Sequence, residues 1–324
     1  MALTPVKEKG HGYGYGKVIL FGEHFVVHGI PAIVCALHYK TTAVVEKGDR
    51  PGVELIDNRP AAEGYKEAKK EHSWEAINLI LKKMGIPADT PLRITLNGDL
   101  FAASGVGASA AFCTAIARAL NDYYGMGLDD DGINEIAHEG EKGFHGNPSG
   151  VDDTASTYGG FLWFKKGDPR PHVEKIDVPG PLYIVMGNSG TVANTKKAVA
   201  LVREGKENNP EKFNPIFKRA EELVSEAREA LEKYDLERVG ELMNENHSLL
   251  RDMGLSTDVL EKMVSTAIQN GALGAKITGG GLGGYMVALV RDEEEQKRVE
   301  NALLDLQKET GAKITTLSSV LGRD

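Results

Sequence analysis

The chain has 324 residues, 41% of them hydrophobic and 26% charged, with a formal net charge of -9 and only two cysteines. That length accommodates one large or two medium domains, the hydrophobic share excludes extensive disorder, and the acidic balance argues against a nucleic-acid partner. Cys35 and Cys113 lie in apolar surroundings without ligand spacing, which excludes a disulfide framework or zinc site and predicts buried free thiols. The first residues have no signal-like apolar core and no later stretch reaches a membrane span, so a cytoplasmic chain with no membrane partner is expected.

Strands are expected over residues 17–21 and 32–45, two runs rich in Val and Ile separated by His28-Gly29-Ile30-Pro31. Residues 47–71 are polar and broken by Pro51, Pro60 and glycines, and read as loops and edge structure with limited chemistry. Trp74, Ile77, Leu81 and Met84 recur at helical spacing, which predicts an amphipathic helix capped by Ser73 with Trp74 in the core. A strand over 92–96 leads to Gly105-Val106-Gly107-Ala108-Ser109-Ala110-Ala111, followed by helices over 108–124, 129–142 and, with Pro148 at its first turn, 148–157. Strands over 161–164 and 182–186 precede helices over 191–203, 210–233, 236–251 and 257–270. In the second of these helices Ile216, Ala220, Leu223, Ala227 and Leu231 mark one buried stripe. Strands over 275–278 and 285–290, a charged helix over 293–306 and a strand over 313–317 complete an order that predicts a two-domain α+β fold.

Four segments carry chemistry. The glycine turn from Gly105 opens a helix, so its backbone can approach an anion while the free N–H groups and dipole of the helix start complete a phosphate cradle. It also fits a loose Rossmann pattern, but about a hundred residues of β-rich sequence precede it, where a dinucleotide domain would put its first strand. No Walker A sequence is present, since Gly16-Lys17 is followed by Val18. Glu141 and Asp152 flank Lys142 to Val151, so two carboxylates can converge, one to hold Mg²⁺ and one to orient an attacking hydroxyl. Lys276-Ile277-Thr278-Gly279-Gly280-Gly281-Leu282-Gly283-Gly284 is glycine-dense enough to cover a phosphate or a helix end. Lys17, His24 and His28 lie in or beside the first strand, where Lys17 can neutralise phosphate. Each feature has a plain structural alternative: tight packing for the glycines, helix-start preference for Asp152 and Asp153, and surface or scaffold positions for Lys17 and the histidines.

Taken together, the segments resemble the GHMP kinase superfamily, and most closely its mevalonate kinase branch. The run from Lys17 through Gly22-Glu23-His24 to Gly29 is similar to that family's first motif, and His145-Gly146-Asn147-Pro148-Ser149-Gly150-Val151-Asp152 to its substrate-side motif. The resemblance implies an N-terminal ATP-binding domain over 1–181 like ribosomal protein S5 domain 2, and a ferredoxin-like C-terminal domain over 182–324. It implies ATP-dependent phosphorylation of the primary hydroxyl of mevalonate, with Asp152 and Lys17 catalytic and Mg²⁺ held by Ser109 and Glu141. ATP phosphates would meet Gly105, Val106, Gly107, Ala108, Ser109 and Ala110, with Thr278, Gly279 and Gly280 beside them. Glu23, His24, Ser149 and Thr195 would line the mevalonate pocket, and a homodimer is possible. The sequence departs from many family members in lacking an Arg near Ala193, which leaves Lys196 or a backbone N–H at the next helix start to meet the substrate carboxylate. Kinases of another small alcohol or of phosphomevalonate, and a non-catalytic nucleotide sensor, are the alternatives.

Overall fold

Every second residue of the first strand's opening, Gly10, Gly12, Gly14 and Gly16, is glycine. In the computed structural model, which describes residues 4–102, 105–167 and 170–322, the strand is correspondingly longer than expected: β1 spans Lys9–Phe21. The ends of the two predicted domains, Met1 and Asp324, lie outside the described residues. Two compact units form, one from the residues up to Lys17 with Ala36–Gly159, the other from Val18–Cys35 with the residues from Gly160 onward.

In the first unit, β2 (Ala32–Lys47) pairs antiparallel with β4 (Leu92–Gly98) over Thr41 to Lys47, and β3 (Val53–Asp57) pairs parallel with β4. Between β3 and β4 lie α1 (Tyr65–Ala68) and α2 (Lys70–Lys83), so the segment read as loops supplies a strand and a short helix. Because α2 starts at Lys70, Ser73 is not its cap; its hydroxyl turns back to the Lys69 carbonyl at 3.0 Å, and Trp74 is only half-buried. Three more helices follow: α3 (Ala108–Tyr124), α4 (Asp130–His145) and α5 (Val151–Tyr158). Asp129 caps α4 by accepting from the Gly132 N–H at 2.9 Å. The start of α5 is set by Gly150 at φ 87, a left-handed conformation that cannot continue a helix backwards, so Pro148 falls in the preceding turn instead of the first helical turn.

Ile77, Ile80 and Leu81 of α2, Ile94 and Leu96 of β4, Ile116 and Leu120 of α3 and Ile136 of α4 form the core of this unit. Each such side chain contributes about 1.5–3 kcal/mol by leaving water. Gly10, Gly12 and Gly14 of β1 face α3. A Cβ on Gly10, Gly12 or Gly14 would collide with the carbonyls of Ala119, Ala115 and Ala111 respectively, the last at 2.5 Å. Two strand residues advance about 6.8 Å and four helix residues about 6 Å, so the two periodicities stay in step along the contact.

The second unit contains β5 (Phe161–Lys165), which pairs antiparallel with residues 32–35 of β2 and with β6 (His172–Ile176), a strand the sequence did not announce. Then come β7 (Leu182–Asn188), α6 (Thr195–Asn208), α7 (Pro210–Glu232), α8 (Leu236–Asp252), α9 (Asp258–Gln269), β8 (Gly274–Thr278), β9 (Tyr285–Val290), α10 (Glu293–Asp305), α11 (Gln307–Thr310) and β10 (Thr315–Leu321). The sheet order β10-β7-β9-β8, with helices after its first strand and after its third, is ferredoxin-like. Asn194 delays α6 relative to the expected 191, because its side chain accepts from the Lys197 N–H at 3.0 Å. The stripe of α7 is buried as expected, from Ile216 to Leu231, and its first residues, Ile216 and Ala220, share a core with Leu250 of α8, Met263 of α9 and Met286 of β9. The final strand is displaced four residues beyond its expected end, with Leu317 opposite Met186. Cys35 and Cys113 are buried free thiols, and no helix among the described residues is long and apolar enough to cross a membrane.

Candidate active site

The glycine ladder sets where β1 stops against α3, and that register delivers Lys17 to the helix start. The Lys17 N–H donates to the Val106 carbonyl at 2.9 Å, and its aliphatic stem lies where any Cβ on Gly107 would fall, 2.7 Å away. Gly107 at φ 75 is the N-cap of α3, so Ala108, Ser109 and Ala110 occupy a first turn whose N–H groups have no intrahelical acceptor. The Lys17 ammonium, 4% exposed as a residue, meets Asp152 Oδ1 at 3.1 Å. Asp152 sits in the first turn of α5, where the helix dipole favours a carboxylate.

Glu141, on the face of α4 turned to this pair, is buried. Burial first, and then the charges of Asp152 and Asp153, push its carboxyl well above the ordinary range, against the pull of a Ser109 hydrogen bond and Lys17. A carboxyl held this way is short of positive charge. Among the described residues no three His, Cys, Asp or Glu side chains form a cage for a metal, but Mg²⁺ does not require one, since it keeps water and phosphate oxygens alongside one or two protein ligands. The donor set of Ser109 and Glu141, both oxygen, fits it.

A cleft of about 300 Å³ opens beside this helix start, lined by Asp57, Arg59, Lys69 and Trp74 together with Ser109 and Phe112. Residues 47–71, expected to be loops and edge structure with limited chemistry, thus supply part of the lining of this cleft. Arg59 is buried, paired with Asp57 through Nε at 2.9 Å and Nη2 at 2.7 Å, stacked over Phe112, and bonded to the Ala108 carbonyl at 3.3 Å. Its only sequence signal was a charged Asp-Asn-Arg run between two prolines.

In the second unit, the end of the first motif is tied to β8 and the glycine loop. Thr278 Oγ1 donates to the Ile19 carbonyl at 2.9 Å, His24 Nε2 lies 3.0 Å from the Gly280 carbonyl, and Lys276 pairs with Glu23. Both members of that pair are buried, and Glu23 Oε2 and His24 Nδ1 are buried with no hydrogen-bond partner. His24 adopts φ 62, and burial lowers its pKa to about 4, so the ring is neutral. A Cβ on Gly280 would touch Thr195 Oγ1 at 2.5 Å, which places Thr195, the first residue of α6, against the loop. Gly279 takes φ 79 in open space. Of the expected site residues, Lys17, Ser109, Glu141 and Asp152 are thus brought together in one unit, and Glu23, His24, Thr195, Thr278 and Gly280 in the other. Ser149 belongs to the first unit, in the turn before α5, where its hydroxyl accepts from the Val151 N–H at 3.4 Å. His28 plays a scaffold part, edge-on to Phe217.

A model described as the GHMP kinases N terminal domain matches residues 71–160, and one described as GHMP kinases C terminal matches residues 227–308, which fixes the class as a GHMP kinase. A mevalonate kinase from Thermococcus sibiricus is 36% identical over 311 residues, spanning 89% of this chain and 90% of that protein. One from Pyrococcus furiosus is 35% identical over 302 residues, spanning 86% and 89%. The crystal structure of L. major mevalonate kinase in complex with R-mevalonate superposes with a TM-score of 0.93 at 38% identity, covering 99% of this chain and 98% of that one. The chain belongs to the mevalonate kinase family.

Proposed function

We propose that the chain transfers the γ-phosphoryl group of ATP to the primary hydroxyl of mevalonate, giving 5-phosphomevalonate. The observation that carries this reading is the Lys17–Asp152 pair at the start of α3, a carboxylate and a cation fixed beside a helix end suited to phosphate. Phosphoryl transfer asks the protein mainly for positioning and charge stabilisation. In this reading Asp152 accepts a hydrogen bond from the attacking hydroxyl and takes up its proton, while Lys17 stabilises charge on the γ-phosphoryl oxygens. The phosphates are assigned to the N–H groups from Gly105 to Ala110 and to Thr278, Gly279 and Gly280, and the base and ribose to the Asp57–Trp74 cleft. Ser109 and Glu141 are the residues that would hold Mg²⁺, whose contribution when bound is to neutralise charge shared between the β- and γ-phosphates.

Glu23, His24, Ser149 and Thr195 are assigned to mevalonate; the unpartnered Glu23 Oε2 and His24 Nδ1 supply polar atoms suited to a hydroxylated ligand. The α6 start at Thr195 and Lys196 is assigned to the carboxylate. The domain division at 181/182, a cytoplasmic location and a homodimer belong to the same proposal; light scattering at micromolar concentration checks the last. The reading as a whole is tested by ATP consumption with Mg²⁺ against mevalonate, phosphomevalonate, diphosphomevalonate, homoserine and galactose, with products identified by mass. Selective 5-phosphomevalonate formation is expected. Turnover of another alcohol with mevalonate inert would move the substrate assignment, and no turnover at all would favour a nucleotide sensor.

A further inference from the structure

We infer that His145 is a positioning residue for the Ser109 hydroxyl, which it holds oriented for a divalent cation. The inference rests on the assignment of Ser109 and Glu141 to Mg²⁺. His145 ends α4, one turn after Glu141 on the same helix face, ahead of Gly146 at φ 69. Its Nε2 lies 3.2 Å from Ser109 Oγ and 3.7 Å from Glu141 Oε2, so one ring nitrogen addresses both oxygens.

A serine hydroxyl has one proton and two lone pairs. Without a cation, nothing fixes the direction of that proton, and His145 Nε2 is one acceptor within reach. With both oxygens turned to a cation, the carboxylate lone pairs are engaged and the hydroxyl proton has to point away from the positive charge. His145 Nε2 is the acceptor on that side. Accepting there puts the ring proton on Nδ1, and leaves a Ser109 lone pair directed at the cation. The role needs an acceptor at this position and no change in charge. Partners of metal ligands that act in this way characteristically tune metal affinity 10–100-fold.

The test uses Mn²⁺ in place of Mg²⁺, with the β,γ-imido analogue of ATP, and reads free Mn²⁺ by electron paramagnetic resonance, so that no turnover is required. His145→Phe keeps the ring's bulk without the acceptor, and His145→Gln restores a carbonyl acceptor. The His145 side chain is 48% exposed, so both variants are expected to melt with the parent. His145→Phe is expected to weaken Mn²⁺ binding about tenfold or more, His145→Gln to recover most of that loss, and His145→Phe to add nothing in a Ser109→Ala background. Parent-like Mn²⁺ binding by His145→Phe, or a full additional loss on top of Ser109→Ala, overturns the inference while leaving the metal assignment intact. Parent-like binding by Ser109→Ala overturns the metal assignment itself, and the inference with it.

Discussion

Replacing Lys17 by Met separates what the residue does for the fold from what it does for the reaction. The methionine preserves the unbranched stem that occupies the space beside Gly107. It removes an ion pair in which Lys17 is buried and Asp152 is 32% exposed, so the cost to stability falls between the ~1 kcal/mol of an exposed pair and the roughly 3–5 kcal/mol of a buried one. For a chain of 324 residues each kcal/mol corresponds to about 1.5 °C in Tm. The loss to the reaction is a separate quantity. A cation about 4 Å from oxygens that gain charge contributes about 4 kcal/mol at an effective dielectric constant of ~20, close to 10³-fold in rate. Only the part of that charge developing between ground and transition states enters kcat, so a fall of about 10²–10³ is expected, in line with losing one preorganised donor to developing charge. Steady-state kinetics with mevalonate and MgATP, beside a calorimetric melt, read both quantities. A kcat within about tenfold of the parent, a difference of under ~1.4 kcal/mol, with an unchanged melt refutes the assignment of Lys17.

Asp152→Asn keeps the shape of the carboxylate and removes the proton acceptor; kcat is expected to fall at least 10²-fold, and turnover within about tenfold of the parent excludes Asp152 as the catalytic carboxylate. His24 gives a pH signature. Its folded pKa of about 4 lies below the ordinary 6.5, so the unfolded chain takes up the proton first and stability falls as pH drops from about 6.5 to about 4. Linkage makes the loss between pH 7 and pH 5 about 2 kcal/mol. In His24→Asn, which tolerates the positive φ, urea unfolding at the two pH values should show that much less acid destabilisation; equal losses in both proteins refute the buried neutral ring. Gly12→Val forces a side chain into the Ala115 carbonyl and should cost about 3 kcal/mol or more by urea unfolding, with an unchanged midpoint refuting the close strand–helix contact.

The segments of the candidate site stand out in the sequence because glycine turns and acids at helix starts are dense local signals. The glycine turn, the Glu141 to Asp152 segment and the loop after Thr278 are short, and each fixes backbone geometry by itself. Helices with an unbroken stripe, such as α7, were equally plain from Ile216 to Leu231. Features depending on distant residues were not. Arg59 acquires meaning only when Phe112 and the Ala108 carbonyl arrive from α3, and Lys276 only when Glu23 meets it from far along the chain. The start of α5 was misplaced because Pro148 is as acceptable in a turn as at a helix start, and the left-handed Gly150 decided between them. The expected strand over 17–21 stopped short of the true beginning of β1 because its first half has no hydrophobic alternation, only glycine alternating with larger side chains.

That alternation bears on how the protein assembles. A strand with hydrogen in place of side chains along one face has little tendency to form alone and no apolar stripe with which to nucleate. Besides its pairing with β2, it is shaped by the helical backbone of α3 at Ala111, Ala115 and Ala119, against which its glycines close. The segment carrying Lys17 is therefore expected to dock after α3 has formed. A chain compact enough to bury its core can still lack a competent lysine, so recovery of activity during refolding should trail recovery of helical signal.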